Sequence, residues 1–177
     1  MRNSNYENEF EKILARENFS SDFTPLRKKA FKQFLDSGIS KRYWENLRFT
    51  NLSAIKKNIF RVSEASDSPP ENFNYPDSIV REKYKIVFYN GHYQKNMATL
   101  PDSIKILSNL EYYSDPTKKA IQPSNSPFDL LNTAFMDSGM CLIIDKNIEI
   151  NNPIHLIFIN SGLDQLMISP RIHIDLG

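Results

Sequence analysis

Apolar residues recur at two periods along this chain, and the period changes near residue 63. Before it the spacing is helical. Phe10, Ile13 and Leu14 predict a first helix within residues 5–17. Thr24-Pro25-Leu26 predicts a second helix start, with Thr24 as cap and Pro25 in the first turn. Leu26, Ala30, Phe31, Phe34 and Leu35 fall on one face of that helix, and Gly38 supplies a left-handed C-cap. Between residues 40 and 60, Tyr43, Trp44, Leu47 and Phe49 form an aromatic cluster on a short helix. Leu52, Ile55 and Ile59 belong to another.

Residues 63–78 carry Pro69-Pro70 and Pro76 among small and polar residues, which predicts a linker or exposed loop. Beyond it the spacing is that of strands. Tyr84–Tyr89 is a strand, and Asn90-Gly91 is a type I′ hairpin signal because both central positions need positive φ. His92-Tyr93-Gln94 starts the return strand, and Ile104–Leu107 is another. After a loop over 114–126, Ser126-Pro127 opens a helix near 127–137. Phe128, Leu131, Ala134 and Phe135 face inward and Gly139 ends it. Met140–Ile144 is a strand, Ile148–Ile150 a short one, and Asn151–Pro153 a turn. In the first closing strand Ile154, Leu156 and Phe158 alternate with His155, Ile157 and Ile159, the mark of burial on both faces. In the second, Ile172, Ile174 and Leu176 face one way and Arg171, His173 and Asp175 the other.

The expected fold class is therefore α+β. A helical region covers 1–62, a linker or loop 63–78, and a β-rich region with one helix 79–177. No fixed-period repeat is present. Short strands separated by Asn, Asp, Gly and Pro corners fit coils of a β-solenoid as well as a sandwich. The last strand runs to the end of the sequence with nothing to cover its edge. That reads as the beginning of a larger β structure, open to self-association through the exposed edge.

Composition narrows the function classes. The net charge is +1, which gives no support to nucleic-acid or membrane-surface binding. Residues 1–60 hold 12 Lys/Arg against 7 Asp/Glu, and residues 61–177 hold 10 against 14, so the two parts differ in surface. Cys141 is the single cysteine, which excludes an intrachain disulfide and a multi-cysteine metal site. Its neighbours are apolar, so a buried, inert thiol is expected. The amino terminus has neither a signal-peptide core nor transit-peptide chemistry, and no apolar run reaches membrane-spanning length. A cytoplasmic setting is the expectation.

Catalytic motifs are absent. The five glycines are isolated, so there is no phosphate loop, no dinucleotide fingerprint and no nucleophile elbow. Asp137-Ser138-Gly139 is only a look-alike. His92 follows a turn and is expected at the surface. His155 and His173 lie on the closing strands, where they can approach each other with Asp175 alongside, as a metal or acid–base cluster of an uncharacterised enzyme. The competing reading is a polar strand face. Arg171 holds an anion or merely starts a strand. Trp44, Tyr112 and Tyr113 offer a stacking surface for a carbohydrate or other ligand. No residue is assigned as catalytic, cofactor-binding or metal-binding.

The order of several short strings nevertheless resembles one family. Leu26-Arg27, Ala30, Phe34 and Gly38 come first, followed by Glu45-Asn46-Leu47-Arg48-Phe49-Thr50, where that family usually has Glu-x-Trp-Lys-Tyr-Thr. Then come Val87-Phe88-Tyr89-Asn90-Gly91-His92-Tyr93, Leu100-Pro101, Pro127-Phe128 with Leu131–Phe135 and Gly139, Pro153–Leu156 and Ser169-Pro170-Arg171. From about Leu26 onward the chain is similar to the SufB/SufD family, and most like the N-terminal portion of SufD. These are scaffold subunits of the SUF iron–sulfur cluster assembly system. The resemblance implies a helical N-terminal part, a right-handed parallel β-helix and a helical C-terminal part. It implies a non-catalytic subunit that pairs with a SufB-like partner and a SufC-like ATPase. By that resemblance, the family's proposed cluster-ligand and SufC-contacting positions are expected in a C-terminal half beyond these residues. No cofactor-binding residue is carried over, and no cofactor bound by these residues is expected.

Overall fold

The computed structural model describes residues 4–16, 23–38, 49, 51–52, 55, 58–64, 69–70, 73–77, 81–115, 117–118, 126–136, 138–161 and 165–177. The architecture is mixed α+β. In chain order the elements are α1 (Ser4–Leu14), α2 (Phe23–Ser37), β1 (Arg61–Val62), β2 (Tyr84–Tyr89), β3 (His92–Tyr93), a 3-10 turn (Lys95–Met97), β4 (Ile104–Leu107), α3 (Asn109–Tyr113), α4 (Pro127–Phe135), β5 (Ser138–Ile144), β6 (Ile154–Ile159), β7 (Leu166–Met167) and β8 (Pro170–Leu176). No helix among the described residues is long and apolar enough to cross a membrane. The chain forms two units. One holds Met1–Val62, Pro116–Asp137 and Asp164–Ser169; the other holds Ser63–Asp115, Ser138–Leu163 and Pro170–Gly177.

The first unit is built on α1, α2 and α4. Tyr6, Phe10 and Ile13 of α1 meet Ala30, Phe31 and Phe34 of α2 and Leu130, Ala134 and Phe135 of α4 in one core. Phe10 stacks on Phe31 at 4.1 Å, and each makes a T-shaped contact with Phe135 at 5.7 Å. Such edge contacts add to area burial because the ring quadrupoles align favourably. Gly38 takes φ +54 and donates its N–H to the Phe34 carbonyl at 2.7 Å, the left-handed helix stop. Helix α2 starts at Phe23, so Thr24 lies inside the first turn instead of capping it. Two charged residues are buried where the sequence showed only helix surface. Arg27 donates to the Met136 carbonyl, and Glu9 accepts the Val62 N–H at 2.8 Å. Beside Glu9, β1 pairs in parallel with β7.

Three expectations for these helices change. In α4 the buried residues are Pro127, Leu130, Thr133, Ala134 and Phe135, while Phe128 and Leu131 are half-buried, because the face is rotated toward Leu130. Helix α4 groups with the first unit, and it ends at Phe135, before Gly139. Phe49 is 90 % exposed. Tyr43, Trp44 and Leu47, with which it was grouped, lie outside the described residues. Leu52 and Ile55 do pack on the first core, whereas Ile59 is exposed.

The second unit contains two three-stranded sheets, ordered β3-β2-β6 and β4-β5-β8. The chain alternates between them, passing from β2 to β5, back to β6 and on to β8. Each return is a parallel pairing in register: Tyr84↔Ile154 through Tyr89↔Ile159, and Ser138↔Pro170 through Ile144↔Leu176. Strands β3 and β4 pair antiparallel on the opposite edges. The β2–β3 turn is as expected, with φ +47 at Asn90 and +86 at Gly91. Ile86 and Phe88 from one sheet and Ile104, Met140 and Leu142 from the other share one core. Within 63–78, Phe73 sets its ring edge-on to Tyr89 at 5.3 Å.

The strand buried on both faces is β2, not β6. Leu156 and Phe158 of β6 are 36 % and 49 % exposed. In β8 the apolar side is the more open one, with Ile174 at 51 % and Leu176 at 70 %. Ile148–Ile150 forms no strand. Gly139 is a strand residue at φ +127, and a Cβ there would lie 1.9 Å from the Arg171 carbonyl oxygen. Close approach of β8, not helix capping, requires glycine at this position.

Candidate functional site

Two features of the second unit are candidates for function, and both come from the way β8 is laid down. The first is an exposed apolar layer. In-register pairing puts like residues above one another: Ile106, Leu142 and Ile174 in one row, Ile104, Ile144 and Leu176 in the next. In the other sheet Ile86 aligns with Leu156 and Phe88 with Phe158. The earlier members, such as Ile86, Phe88 and Leu142, are buried, and the last members are exposed. Among the described residues no strand pairs with the outer edges of β6 and β8. Apolar side chains along a strand edge form a template for another strand.

The second feature is a polar clasp on the outer face of β8. Ser108-Asn109-Leu110-Glu111 has capping-box spacing, and it closes as one. Ser108 Oγ accepts the Glu111 N–H at 3.1 Å, and Glu111 Oε2 accepts the Ser108 N–H at 2.8 Å. The Ser108 hydroxyl and backbone bonds hold the Glu111 carboxyl below its ordinary range. This cap starts α3, which lies on the sheet. Asn109 Nδ2 donates to the Arg171 carbonyl at 3.0 Å and its Oδ1 accepts from Cys141 Sγ at 3.6 Å. The Tyr112 hydroxyl donates to Asp175 Oδ2 at 3.0 Å. Its proton committed, Tyr112 accepts from His173 Nε2, also at 3.0 Å. Tyr113 Oη stands 3.4 Å from His173 Nδ1. Burial, then the Asp175 hydrogen bond and charge, push the Tyr112 phenol up to about 12. Burial and neighbouring Cys141 push Tyr113 to about 12, with Arg171 opposing.

The residues singled out in the sequence distribute unevenly over this arrangement. His155 and His173 are not brought together, because their strands belong to different sheets. His155 is half-exposed and faces Glu82 at 3.0 Å. The trio His155, His173 and Asp175 therefore does not exist as a cluster, although His173 and Asp175 share Tyr112. Among the described residues no three His, Cys, Asp or Glu side chains are placed to hold a metal. His92 is half-buried, 2.9 Å from Ser63 Oγ, which itself donates to the Asn90 carbonyl. Cys141 is fully buried, as its apolar neighbours imply. Tyr112 is 4 % exposed, so it offers no stacking surface; Trp44 lies outside the described residues. A cleft of about 590 Å³ reaches Ser108 of the clasp and is lined by Tyr93, Leu100, Asp102, Ile104 and Met140 among others. Tyr93 is the one aromatic among its described lining residues, too little for a sugar-stacking face. Sequence reasoning missed Tyr112 as the centre of the clasp. The signal was the capping-box spacing at Ser108, opposite a strand with an alternating polar face.

No family model and no curated protein matches this chain.

Proposed function

We propose that this chain is the N-terminal part of a SufD-like scaffold subunit, a non-catalytic component of an iron–sulfur cluster assembly complex in the cytoplasm. The observation that carries the reading is the layering of the second unit. The chain alternates between two sheets and returns to each in parallel register over one apolar core. A parallel β-helix is built this way, and parallel crossovers within one sheet are right-handed in nearly all proteins. On this reading β2 and β5 belong to the first coil and β6 and β8 to the second. Leu156, Phe158, Ile174 and Leu176 then form the floor on which further coils of a β-helix stack. The family resemblance supplies the rest: a SufB-like partner subunit and a SufC-like ATPase.

Co-expression of the parent reading frame with SufB-like and SufC-like subunits tests the proposal. The expected result is co-purification of all three. A stable product that ignores both partners refutes it.

A further inference from the structure

Three polar atoms of the clasp have a geometry that reaches beyond hydrogen bonding. Tyr112 Oη lies 3.0 Å from His173 Nε2 and 3.0 Å from Asp175 Oδ2. Ligand atoms about 3.0 Å apart subtend roughly 90° at an ion about 2.1 Å from each, the cis edge of an octahedron. A tetrahedral ion with the same bond lengths needs roughly 3.4 Å between ligands, so zinc fits less well. The donors are two oxygens and an imidazole, a hard set without thiolate, since the Cys141 thiol is turned to Asn109. His173 and Asp175 are half-buried, which leaves an entry path, while α3 holds Tyr112 in place.

We propose that Tyr112, His173 and Asp175 form a binding site for ferric iron. The three protein ligands share two cis edges, both at Tyr112 Oη, and leave three positions for water or an anion. His173 must turn its lone pair at Nε2 toward the ion. Its proton then sits on Nδ1, where Tyr113 Oη, 3.4 Å away, is placed to accept it. A second-layer acceptor of this kind fixes the tautomer of metal-bound histidines. The proton balance is simple. Asp175 binds as the carboxylate and His173 stays neutral with its proton moved to Nδ1. Tyr112 gives up one proton to solvent as its oxygen bonds to iron. A trivalent ion is suited to that exchange because it is the stronger Lewis acid toward a phenolate. The site rests on the clasp geometry alone and stands or falls separately from the scaffold reading.

The test is titration of the full chain with ferric nitrilotriacetate, followed by desalting, iron analysis and visible spectroscopy. The expected result is one iron per chain and a visible tyrosinate-to-iron charge-transfer band. Tyr112→Phe abolishes the band. Tyr113→Phe keeps it and weakens uptake roughly 10- to 100-fold. Release of one proton makes apparent affinity rise about tenfold per pH unit near neutrality. His173→Gln, which keeps a hydrogen-bonding side chain facing Tyr112, serves as the second variant and weakens uptake at least tenfold. Folding of each variant is checked by circular dichroism. Iron retention without the band, or a band undiminished in either Tyr112→Phe or His173→Gln, overturns the proposal.

Discussion

Phe158 stacks on Phe88 across the β2–β6 pair, with ring centroids 5.1 Å apart and planes 10° apart, yet Phe88 is fully buried and Phe158 is 49 % exposed. The two rings occupy the same inward row at successive layers. What separates them is that, among the described residues, a covering layer lies on one side only. The contrast is the clearest expression of the stacking in this unit.

The contrast sets the cost of truncation at each layer. Phe88→Ala removes a fully buried ring and should cost about 3–5 kcal/mol, counting the cavity it leaves. Phe158→Ala removes a half-exposed ring and should cost roughly 1 kcal/mol, because about half its area already meets water. Urea unfolding of the two variants measures both. Equal losses would show that the layers are not arranged as described.

Two glycines with positive φ should respond differently to alanine. Gly38 has open space around the missing Cβ, so Gly38→Ala meets only the left-handed backbone penalty of about 1 kcal/mol. At Gly139 the added carbon meets the Arg171 carbonyl oxygen at 1.9 Å, and backbone cannot rotate aside as a side chain does. Gly139→Ala should cost more than about 2 kcal/mol and separate β5 from β8. Amide hydrogen exchange in β8 would report that separation directly. Unchanged protection there would contradict the close approach.

Gly139 also shows what a sequence reading can and cannot see. An isolated glycine after a helical pattern looks like a cap, and only the neighbouring strand reveals a contact more than thirty residues away in the chain. Local signals were legible: Gly38 as a helix stop, Asn90-Gly91 as a turn, and the strands over Tyr84–Tyr89 and Ile104–Leu107. Their periodicity and turn chemistry are carried by adjacent residues. Partner choice was not legible. Strands β6 and β8 are separated in sequence by only the two-residue β7, yet each pairs with an earlier strand, so His155 and His173 part company. The burial of Arg27 and Glu9 was hidden for the same reason. Their partners, the Met136 carbonyl and the Val62 N–H, are distant in the chain.

The clasp predicts a specific alkaline weakness. A phenol whose folded value is raised stays protonated in the folded chain while the unfolded chain ionises. The unfolded state then binds fewer protons, so stability falls as pH rises. For Tyr112 that loss begins near the ordinary value of 10.0 and runs to about 12. Tyr112→Phe should therefore flatten the decline of stability over this window. At neutral pH it should cost roughly 1.5–3 kcal/mol for the lost bond to the Asp175 carboxylate. Denaturation midpoints at pH 8 and at pH 11 for both chains decide it. A variant as alkali-sensitive as the parent would mean that Tyr112 titrates freely.

Asn90 joins two layers at a corner, and its substitution separates backbone from side-chain effects. Its φ of +47 is one that glycine adopts freely, so Asn90→Gly keeps the turn. The side chain, however, is fully buried. Nδ2 donates to Ser161 Oγ at 2.8 Å, and Oδ1 accepts the Ser161 N–H at 2.9 Å. Ser161 lies just past β6, so this amide ties the end of one layer to the corner of the next. Asn90→Gly leaves the Ser161 N–H without that acceptor in a half-buried site, which should cost about 1–3 kcal/mol. The loss should be local: hydrogen exchange should quicken at Ile159 and Ser161 while Ile86 and Val87 in the centre of β2 stay protected. If the variant is as stable as the parent, the turn conformation alone explains the asparagine. If protection falls evenly along β2 and β6, the amide is not a corner tie.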